Sequence, residues 1–250
     1  MKPKRIKPWA IPWEDLKLVY IKKIYKMTEK LFFDKTEEAI WFGHLLGDGH
    51  IQKRGQSYRT KIEHSYAQLD YVEWKYDKLK RLAFGTPKSV ISKHDFKSSL
   101  FYLKSGTYLK KYHDLFYQPY VWKSKQEIIT RKKKIRYRKT ITETLINHLP
   151  NDPLLLAVWF MDDGSRRSDC FAGRLATQSF SKEEHFLLQG YLLSSFNIKT
   201  NIVLHKAVDK TYYLSLTAKK NNFSNFIDLI TPFVEQVPCM HYKIQRPRND

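Results

Sequence analysis

Residues 155–167 read LLAVWFMDDGSRR, in which seven apolar residues run directly into two carboxylates and a glycine. The uninterrupted apolar run predicts a buried helix that ends at the acidic pair, Asp162 and Asp163. A carboxylate at the C-terminus of a helix faces the negative end of the helix dipole, where a cation is preferred. The acidic pair therefore needs an explanation other than helix stability.

The same arrangement occurs 115 residues earlier. Residues 39–55, AIWFGHLLGDGHIQKRG, form an apolar segment that ends at Asp48-Gly49 and continues into polar and basic residues. Asp-Gly on its own is a common turn pair, but two copies in one context indicate a duplicated unit. We expect the glycine after each aspartate, Gly49 and Gly164, to end its helix in the left-handed conformation.

The segments after the two motifs also correspond. Residues 58–65 and 173–180 each predict a strand, and an amphipathic helix follows each of them. Two further strands and a closing helix are expected in each copy, with strands near 89–93, 100–104, 201–205 and 212–216. We therefore predict an α+β fold of two pseudo-symmetric αββαββα units with antiparallel sheets. The units cover residues 38–130 and 153–250, after a basic N-terminal extension (1–37) and around a basic linker (131–152).

The charge of the chain predicts a polyanionic partner. The 45 Lys and Arg residues against 25 Asp and Glu give a net charge of +20, and 15% of residues are aromatic. This combination favours nucleic acid over the alternative, an anionic membrane surface. Seven of the nine residues 131–139 are basic, which fits either a solvated linker or a segment lying against phosphates. No apolar run approaches the ~20 residues of a transmembrane helix, and residues 1–16 lack the apolar core of a secretory signal.

The two acidic motifs predict a metal site. If the motif helices pack side by side, Asp48 and Asp163 meet at their ends, and their mutual repulsion calls for a cation between them. Backbone carbonyls exposed at the helix ends would add hard oxygen ligands, which suit Mg²⁺ or Ca²⁺. The two cysteines, Cys170 and Cys239, are too few for a four-thiolate zinc site.

The motifs resemble a known family. WFGHLLGDG (41–49) and LAVWFMDDG (156–164) are similar to the two signature helices of single-chain LAGLIDADG homing endonucleases. The first helix has the spaced glycines Gly43 and Gly47, whereas the second has Val158 and Asp162 at those positions. WFMDDG followed by TQSF (177–180) is typical of one branch of the family. The resemblance covers residues 38–244 and implies motif helices packed at the centre of a DNA-binding saddle.

The resemblance also implies a catalytic site. Asp48 and Asp163 would bind Mg²⁺ through their carboxylates, and Gly47 and Asp162 through backbone carbonyls; Mn²⁺ or Ca²⁺ would substitute in binding. The role of the Asp162 side chain stays open. The remaining implied residues are His64 and Gln178, which would orient water, and two basic groups, Lys139 (or Arg138) and Lys243.

The implied partner is double-stranded DNA, read in the major groove by the antiparallel sheets of a monomeric chain at a long, asymmetric site. Strand alternation in residues 57–62 would direct Ser57, Arg59 and Lys61 toward DNA, with Thr60 and Ile62 facing inward. The candidates in the second unit are Arg166, Arg167, Arg174, Lys199, Asn201, His205, Tyr213 and Ser215.

These expectations combine into one function, a site-specific double-strand DNA endonuclease that hydrolyses phosphodiesters with a divalent metal. An intron maturase that binds intron RNA on the same scaffold and a transcriptional regulator are the alternatives. The presence of both Asp48 and Asp163 favours the nuclease. We expect an intracellular protein. The high content of Lys, Ile and Tyr favours an A+T-rich genome, such as that of a chloroplast or a mitochondrion.

Overall fold

The computed structural model describes residues 32–92, 95–122 and 134–245. Residues 1–31 of the predicted N-terminal extension and residues 131–133 of the basic linker lie outside these ranges. The first half contains α1 (Lys35–Leu46), β1 (Ile51–Arg54), β2 (Ser57–Ser65), α2 (Leu69–Leu79), β3 (Ala83–Ile91), β4 (Lys97–Leu103) and α3 (Lys110–Phe116). The connection contains β5 (Tyr117–Trp122), β6 (Lys134–Lys139) and α4 (Glu143–Ile146). The second half contains α5 (Pro153–Asp163), β7 (Gly164–Arg166), β8 (Gly173–Leu175), α6 (Lys182–Phe196), β9 (Thr200–Lys206), β10 (Thr211–Leu216) and α7 (Asn222–Val234).

The two halves have the same topology. Their four-stranded antiparallel sheets have the orders β1-β2-β4-β3 and β7-β8-β10-β9, so each strand occupies the same place in its half. The three helices of each unit fall in the predicted places, and the predicted αββαββα unit is confirmed for both copies, whereas α4 lies inside the predicted linker.

Two strands differ from the sequence prediction. β8 ends at Leu175 because the Thr177 amide donates to the Leu175 carbonyl and the Phe180 amide donates to the Thr177 carbonyl, which turns the chain. The second difference is that β6, inside the predicted linker, pairs antiparallel with β5 at the end of the first unit. This two-stranded sheet spans the boundary predicted at residue 130.

Local signals at the helix N-termini fix where the motif helices begin. The Asp34 side chain accepts from the Glu37 amide, and the Glu37 side chain accepts from the Asp34 amide, which is a capping box for α1. Asp152 caps α5, and Pro153 occupies its first position, where a missing N–H costs nothing.

The motif helices pack directly against each other at the centre of the molecule. A Cβ added to Gly43 would lie 2.5 Å from the Leu155 carbonyl oxygen, and one added to Gly47 would lie 2.5 Å from the Asp162 Cβ. The glycines of α1 thus make room for the larger residues of α5. Every residue from Leu154 to Met161 is buried, in one core that both halves share.

The predicted left-handed conformation of Gly49 and Gly164 is wrong. Neither has a positive φ, and Gly164 is extended, with φ −81° and ψ 148°. Close approach requires glycine there instead. A Cβ on Gly164 would lie 2.1 Å from the Phe160 ring, and one on Gly49 would lie 2.5 Å from the His44 carbonyl oxygen.

Among residues 32–92, 95–122 and 134–245, no helix combines the length and the apolar character that a bilayer crossing requires.

Candidate metal centre and DNA-binding surface

The two motif aspartates interact electrostatically at the paired helix ends. Burial raises the pKa of Asp163 to about 7, and the negative charges of Asp48 and Asp162 add to this effect. Burial, followed by the charge of Asp162, also raises the pKa of Asp48, whose side chain is 46% exposed. The structure thus brings the two predicted carboxylates together, and their repulsion is the condition that a divalent cation relieves.

A lysine contacts the C-terminal end of each motif helix. Lys139 Nζ donates to the Gly47 carbonyl at 3.0 Å and to the Gly49 carbonyl at 2.8 Å. Lys243 Nζ donates to the carbonyls of Phe160 at 3.0 Å, Met161 at 2.5 Å and Gly164 at 2.9 Å. Each ammonium lies where the helix dipole favours positive charge.

Both lysines belong to the site rather than to the solvated surface. Burial lowers the pKa of Lys139 and of Lys243 to about 8, although the nearby aspartates oppose this shift. Arg138, the alternative to Lys139, instead lies 3.5 Å from Glu184, and its side chain is 55% exposed. The structure therefore favours Lys139 over its neighbour.

The carbonyls predicted to be metal ligands are near the same lysines. The Gly47 carbonyl accepts from Lys139, and the Asp162 carbonyl lies 3.5 Å from Lys243 Nζ. With the two carboxylates they form an all-oxygen donor set, which suits a hard divalent cation.

The Asp162 side chain is fully buried and is bonded to side chains of α1 and α2. Its Oδ1 accepts from Lys75 Nζ and from the Tyr71 hydroxyl, both at 2.7 Å, and its Oδ2 lies 2.7 Å from His44 Nδ1. Burial alone would raise the pKa of Asp162, but the charge of Lys75 together with the charge and hydrogen bond of His44 outweighs burial and holds the pKa well below its usual range. Asp162 is therefore an ionised partner of Lys75.

His64, at the end of β2, joins this buried cluster to Asp48. Its Nδ1 lies 3.7 Å from Asp48 Oδ2, and its Nε2 lies 3.0 Å from Lys75 Nζ. Burial and the charge of Lys75 lower the pKa of His64 to about 3, so its imidazole is neutral at physiological pH. The structure thus places His64 beside the first carboxylate, and its role in orienting water stays a prediction.

Sequence reasoning missed Lys75, Tyr71 and His44, although the first carries a usable signal. In α2 the buried residues Tyr71, Val72, Lys75 and Leu79 share one helix face, so a lysine stands at a core position. A lysine is almost never fully buried unless it is paired. The apolar stripe of α2 therefore implied a buried anion.

The second half has a different arrangement behind its carboxylate. Gln178 lies half-buried in the turn after β8, two residues beyond Ala176, whose amide donates to the Asp163 carbonyl. The neighbouring Thr177 is fully buried, and its hydroxyl lies 2.8 Å from His185 Nε2. The Leu214 amide donates to the same hydroxyl.

The outward face of the first sheet carries the predicted DNA-binding residues of β2. Burial alternates along the strand, with Tyr58, Thr60, Ile62 and His64 inside and Ser57, Arg59 and Lys61 on the opposite face. The Arg59 guanidinium lies 4.2 Å from the centre of the Tyr102 ring, and Lys61 pairs with Glu63. Arg59 and Lys61 line the same concave surface as Asp48 and His64.

The second sheet presents a matching row. In register across β7, β8, β10 and β9 lie Ser165, Arg174, Ser215 and Asn201. Arg174 Nε donates to Ser165 Oγ at 2.8 Å. Tyr213 and His205 lie further along the same face, with their ring centres 6.3 Å apart.

Three further candidates differ in their surroundings. Arg166 alternates with Ser165 and pairs in register with Gly173, so it belongs to the inward set of β7. Arg167 is exposed and forms an ion pair with Asp169 at 2.5 Å. Lys199, just before β9, is exposed and lines a surface cleft with Asn201 and Lys220.

Comparison with known proteins agrees with this architecture. The family model of the "LAGLIDADG DNA endonuclease family" matches residues 38–223. The chain is 26% identical to the cytochrome b mRNA maturase bI2 of Saccharomyces cerevisiae, over 82% of this chain and 46% of that protein. It thus spans about half of that relative's length. It is 25% identical to the DNA endonuclease I-ChuI of Chlamydomonas applanata, over 84% of this chain and 94% of that protein.

A solved structure has the same fold. The homing endonuclease I-WcaI, bound to its DNA recognition sequence, superimposes with a TM-score of 0.67 at 20% identity, over 88% of this chain and 92% of that one. The family match covers well over half of the sequence and both motifs, and it confirms the resemblance of the two signature helices. The chain therefore belongs to the LAGLIDADG DNA endonuclease family.

Proposed function

We propose that this chain is a site-specific endonuclease that hydrolyses both strands of a DNA duplex at a centre formed by Asp48 and Asp163. The observation that carries this proposal is the meeting of two half-buried carboxylates at the ends of paired helices. Burial, followed by the negative charge of Asp48, raises the pKa of Asp163 there to about 7. Two carboxylates arranged in this way, with carbonyl oxygens beside them, fit a divalent cation.

Asp48 and Asp163, with the carbonyls of Gly47 and Asp162, would hold Mg²⁺, and Mn²⁺ or Ca²⁺ would bind in the same place. When bound, the ion lowers the pKa of a water molecule and stabilises the charge that develops at phosphorus and at the departing 3′ oxygen. His64 and Gln178 would orient the attacking water through hydrogen bonds.

Lys139 and Lys243 would add positive charge beside the scissile phosphate. Lys139 makes two hydrogen bonds to carbonyls, so its third N–H is available for a phosphate oxygen. Lys243 uses all three donors on carbonyls within 3.0 Å and would act through its charge alone.

The two sheets would bind the DNA. Their outward faces carry Arg59 and Lys61 in the first half and Arg174 and Asn201 in the second, and the net charge of +20 supports phosphate contacts along the duplex. Because the two faces carry different side chains, the target of a monomer would be asymmetric. Binding should weaken steeply as salt concentration rises.

Selection of cut sequences tests the proposal. The purified chain is incubated with a randomised duplex library in Mg²⁺, and the new DNA ends are sequenced; parallel reactions contain EDTA. We expect one long, non-palindromic site whose cleavage requires the metal. Cleavage of equal efficiency in EDTA would contradict the metal assignment, and scattered ends would contradict site specificity.

The similarity to a maturase over 82% of this chain favours a second candidate, an intron maturase that binds RNA on the same basic surface. The absence of any cut site, together with tight binding to a structured intron RNA, would favour this candidate. The high content of Lys, Ile and Tyr and the similarity to a cytochrome b mRNA maturase support an intracellular, organellar location. Imaging of the tagged chain in its host cell would test it.

A further inference from the structure

A buried ammonium group occupies what otherwise has the form of a metal site. Ligand atoms of His44, His64 and Asp162 lie within 4.8 Å of one another, which is a spacing that a metal ion could bridge. Lys75 Nζ lies 2.7 Å from Asp162 Oδ1, 3.0 Å from His64 Nε2 and 3.2 Å from His44 Nδ1. The lysine therefore supplies the cation for this cluster, and its side chain is completely buried.

The hydrogen bonds of this cluster fix where its protons lie. Lys75 donates one proton to Asp162 Oδ1 and one to His64 Nε2. His44 Nδ1 is 3.2 Å from the same ammonium but only 2.7 Å from Asp162 Oδ2, to which its own proton is directed, and the Tyr71 ring centre lies 4.2 Å from Lys75 Nζ. An ammonium group can only donate. His64 Nε2 must therefore accept, which leaves the proton of the neutral ring on Nδ1.

That choice of tautomer directs a donor at the first carboxylate. His64 Nδ1 lies 3.7 Å from Asp48 Oδ2, which is beyond a direct hydrogen bond but within the range that tightens when a catalytic site is assembled. With the proton on Nε2 instead, Nδ1 would present a lone pair to a carboxylate. The contact with Lys75 thus decides which nitrogen of the His64 ring carries the proton.

We propose that Lys75, with Asp162 as its counter-ion, is a positioning residue that fixes His64 in the Nδ1–H tautomer directed at Asp48. This inference rests on the proposed function for its effect on cleavage, but not for the tautomer itself. It gives the Asp162 side chain a role that is distinct from metal binding.

The second half explains why a buried lysine such as Lys75 is needed behind only one of the two motif aspartates. At the position that corresponds to His64 the chain has Gln178, whose amide always carries both a donor and an acceptor. An imidazole presents one or the other at each nitrogen, and a partner decides which. A fixed cation is therefore needed only behind Asp48.

The tautomer is measured directly by two-bond ¹H–¹⁵N correlation spectra of the metal-free full chain, with the His64 signals identified by their loss in His64→Gln. We expect the wild-type ring to carry its proton on Nδ1. In Lys75→Met/Asp162→Asn, which removes the charge pair together, we expect a mixture or the Nε2–H form. An Nε2–H form in the wild type overturns the proposal, even if the double variant does not fold.

Cleavage is measured by single-turnover rates on the selected target in Mg²⁺, with DNA affinity measured in Ca²⁺. Loss of an outer partner of a metal ligand costs about 10–100-fold, so we expect Lys75→Met/Asp162→Asn to be slower by this factor with a DNA Kd within about threefold of wild type. His64→Gln should be slowed as well. The triple variant should be no slower than His64→Gln, because the pair acts through that ring.

Additive losses in the triple variant would overturn the proposal, as would an unchanged cleavage rate in the double variant. Tyr71→Phe is the matched control, because it removes a hydrogen bond to Asp162 but keeps the contact between Lys75 and His64; its tautomer should match the wild type. A wild-type chain that cuts no DNA would contradict the proposed function, and the NMR result would still decide the tautomer.

Discussion

The two halves of this protein share a backbone topology but hold their motif aspartates in place by different means. Behind Asp48 lies a buried ionic cluster built on Lys75 and Asp162, whereas behind Asp163 lie neutral hydrogen bonds centred on Thr177. The lysines differ as well, since Lys139 bonds two carbonyls and Lys243 bonds three. The two copies of the fold thus keep their motif aspartates and lysines in equivalent places, whereas the side chains behind the aspartates have diverged.

The largest effect on cleavage is expected when either motif carboxylate is removed. Asp48→Asn and, separately, Asp163→Asn should each slow double-strand cleavage at least ~10³-fold, since each loses several kcal/mol of metal-dependent stabilisation. DNA affinity in Ca²⁺ should change by less than about tenfold. Gel assays of supercoiled plasmid carrying the selected site measure both strands. Unchanged cleavage in the double variant would exclude these residues as the metal ligands.

The helix contact is asymmetric too, because only α1 contributes glycines. Gly43→Val would drive its side chain into the Leu155 carbonyl and Val158, and we expect a loss of about 3 kcal/mol or more in the free energy of unfolding. Gly190→Ala is the control: it lies on the exposed side of α6 with nothing within 4 Å, and it should stabilise by about 0.5–1 kcal/mol. Chemical denaturation measures both. A mild effect at Gly43 would argue against close packing of the motif helices.

Exchange of the two lysines for methionine should separate their roles. Lys243→Met removes hydrogen bonds to three carbonyls, of which that of Phe160 keeps its bond from the Gly164 amide, and should cost about 2–3 kcal/mol of stability. Lys139→Met removes two hydrogen bonds and should cost less, but it also removes a donor that can reach phosphate. Its cleavage rate, corrected for folded fraction, should fall by about 10²-fold, and more than that of Lys243→Met. A larger fall in cleavage rate for Lys243→Met than for Lys139→Met would contradict the proposal that the third N–H of Lys139 reaches a phosphate.

The smallest effect concerns pH. Asp163 holds its proton to about pH 7 in the folded chain, while the unfolded carboxyl releases it near pH 4. The folded state therefore loses stability as pH rises between these values, and the penalty is complete above 7. In EDTA, Asp163→Asn should melt several degrees above the wild type at pH 8 and close to it at pH 4, where the carboxyl is still largely protonated in the unfolded state. An equal difference at both values would contradict the raised pKa.

The sequence predicted the fold well because its strongest signals are local and repeated. The apolar motif helices, the duplication of the unit and the alternation in β2 each follow from the chain itself. The end of β8 was missed because it depends on a turn around Thr177, and the ionic cluster was missed because it joins α2 to α5 across 87 residues. The partner of a buried charge is decided by tertiary structure. The sequence therefore carries only one sign of the cluster, which is that Lys75 stands on the apolar face of α2.

The pairing of β5 with β6 has a consequence for any attempt to exchange halves between related enzymes. Lys139, which contacts the end of the first motif helix, lies on the last residue of β6, beyond the point where the repeated unit ends in sequence. A junction at residue 130 would transplant the first unit without its lysine. Recombination downstream of Thr140, before α5 begins, would instead transfer Asp48 together with the lysine that binds the carbonyls on either side of it.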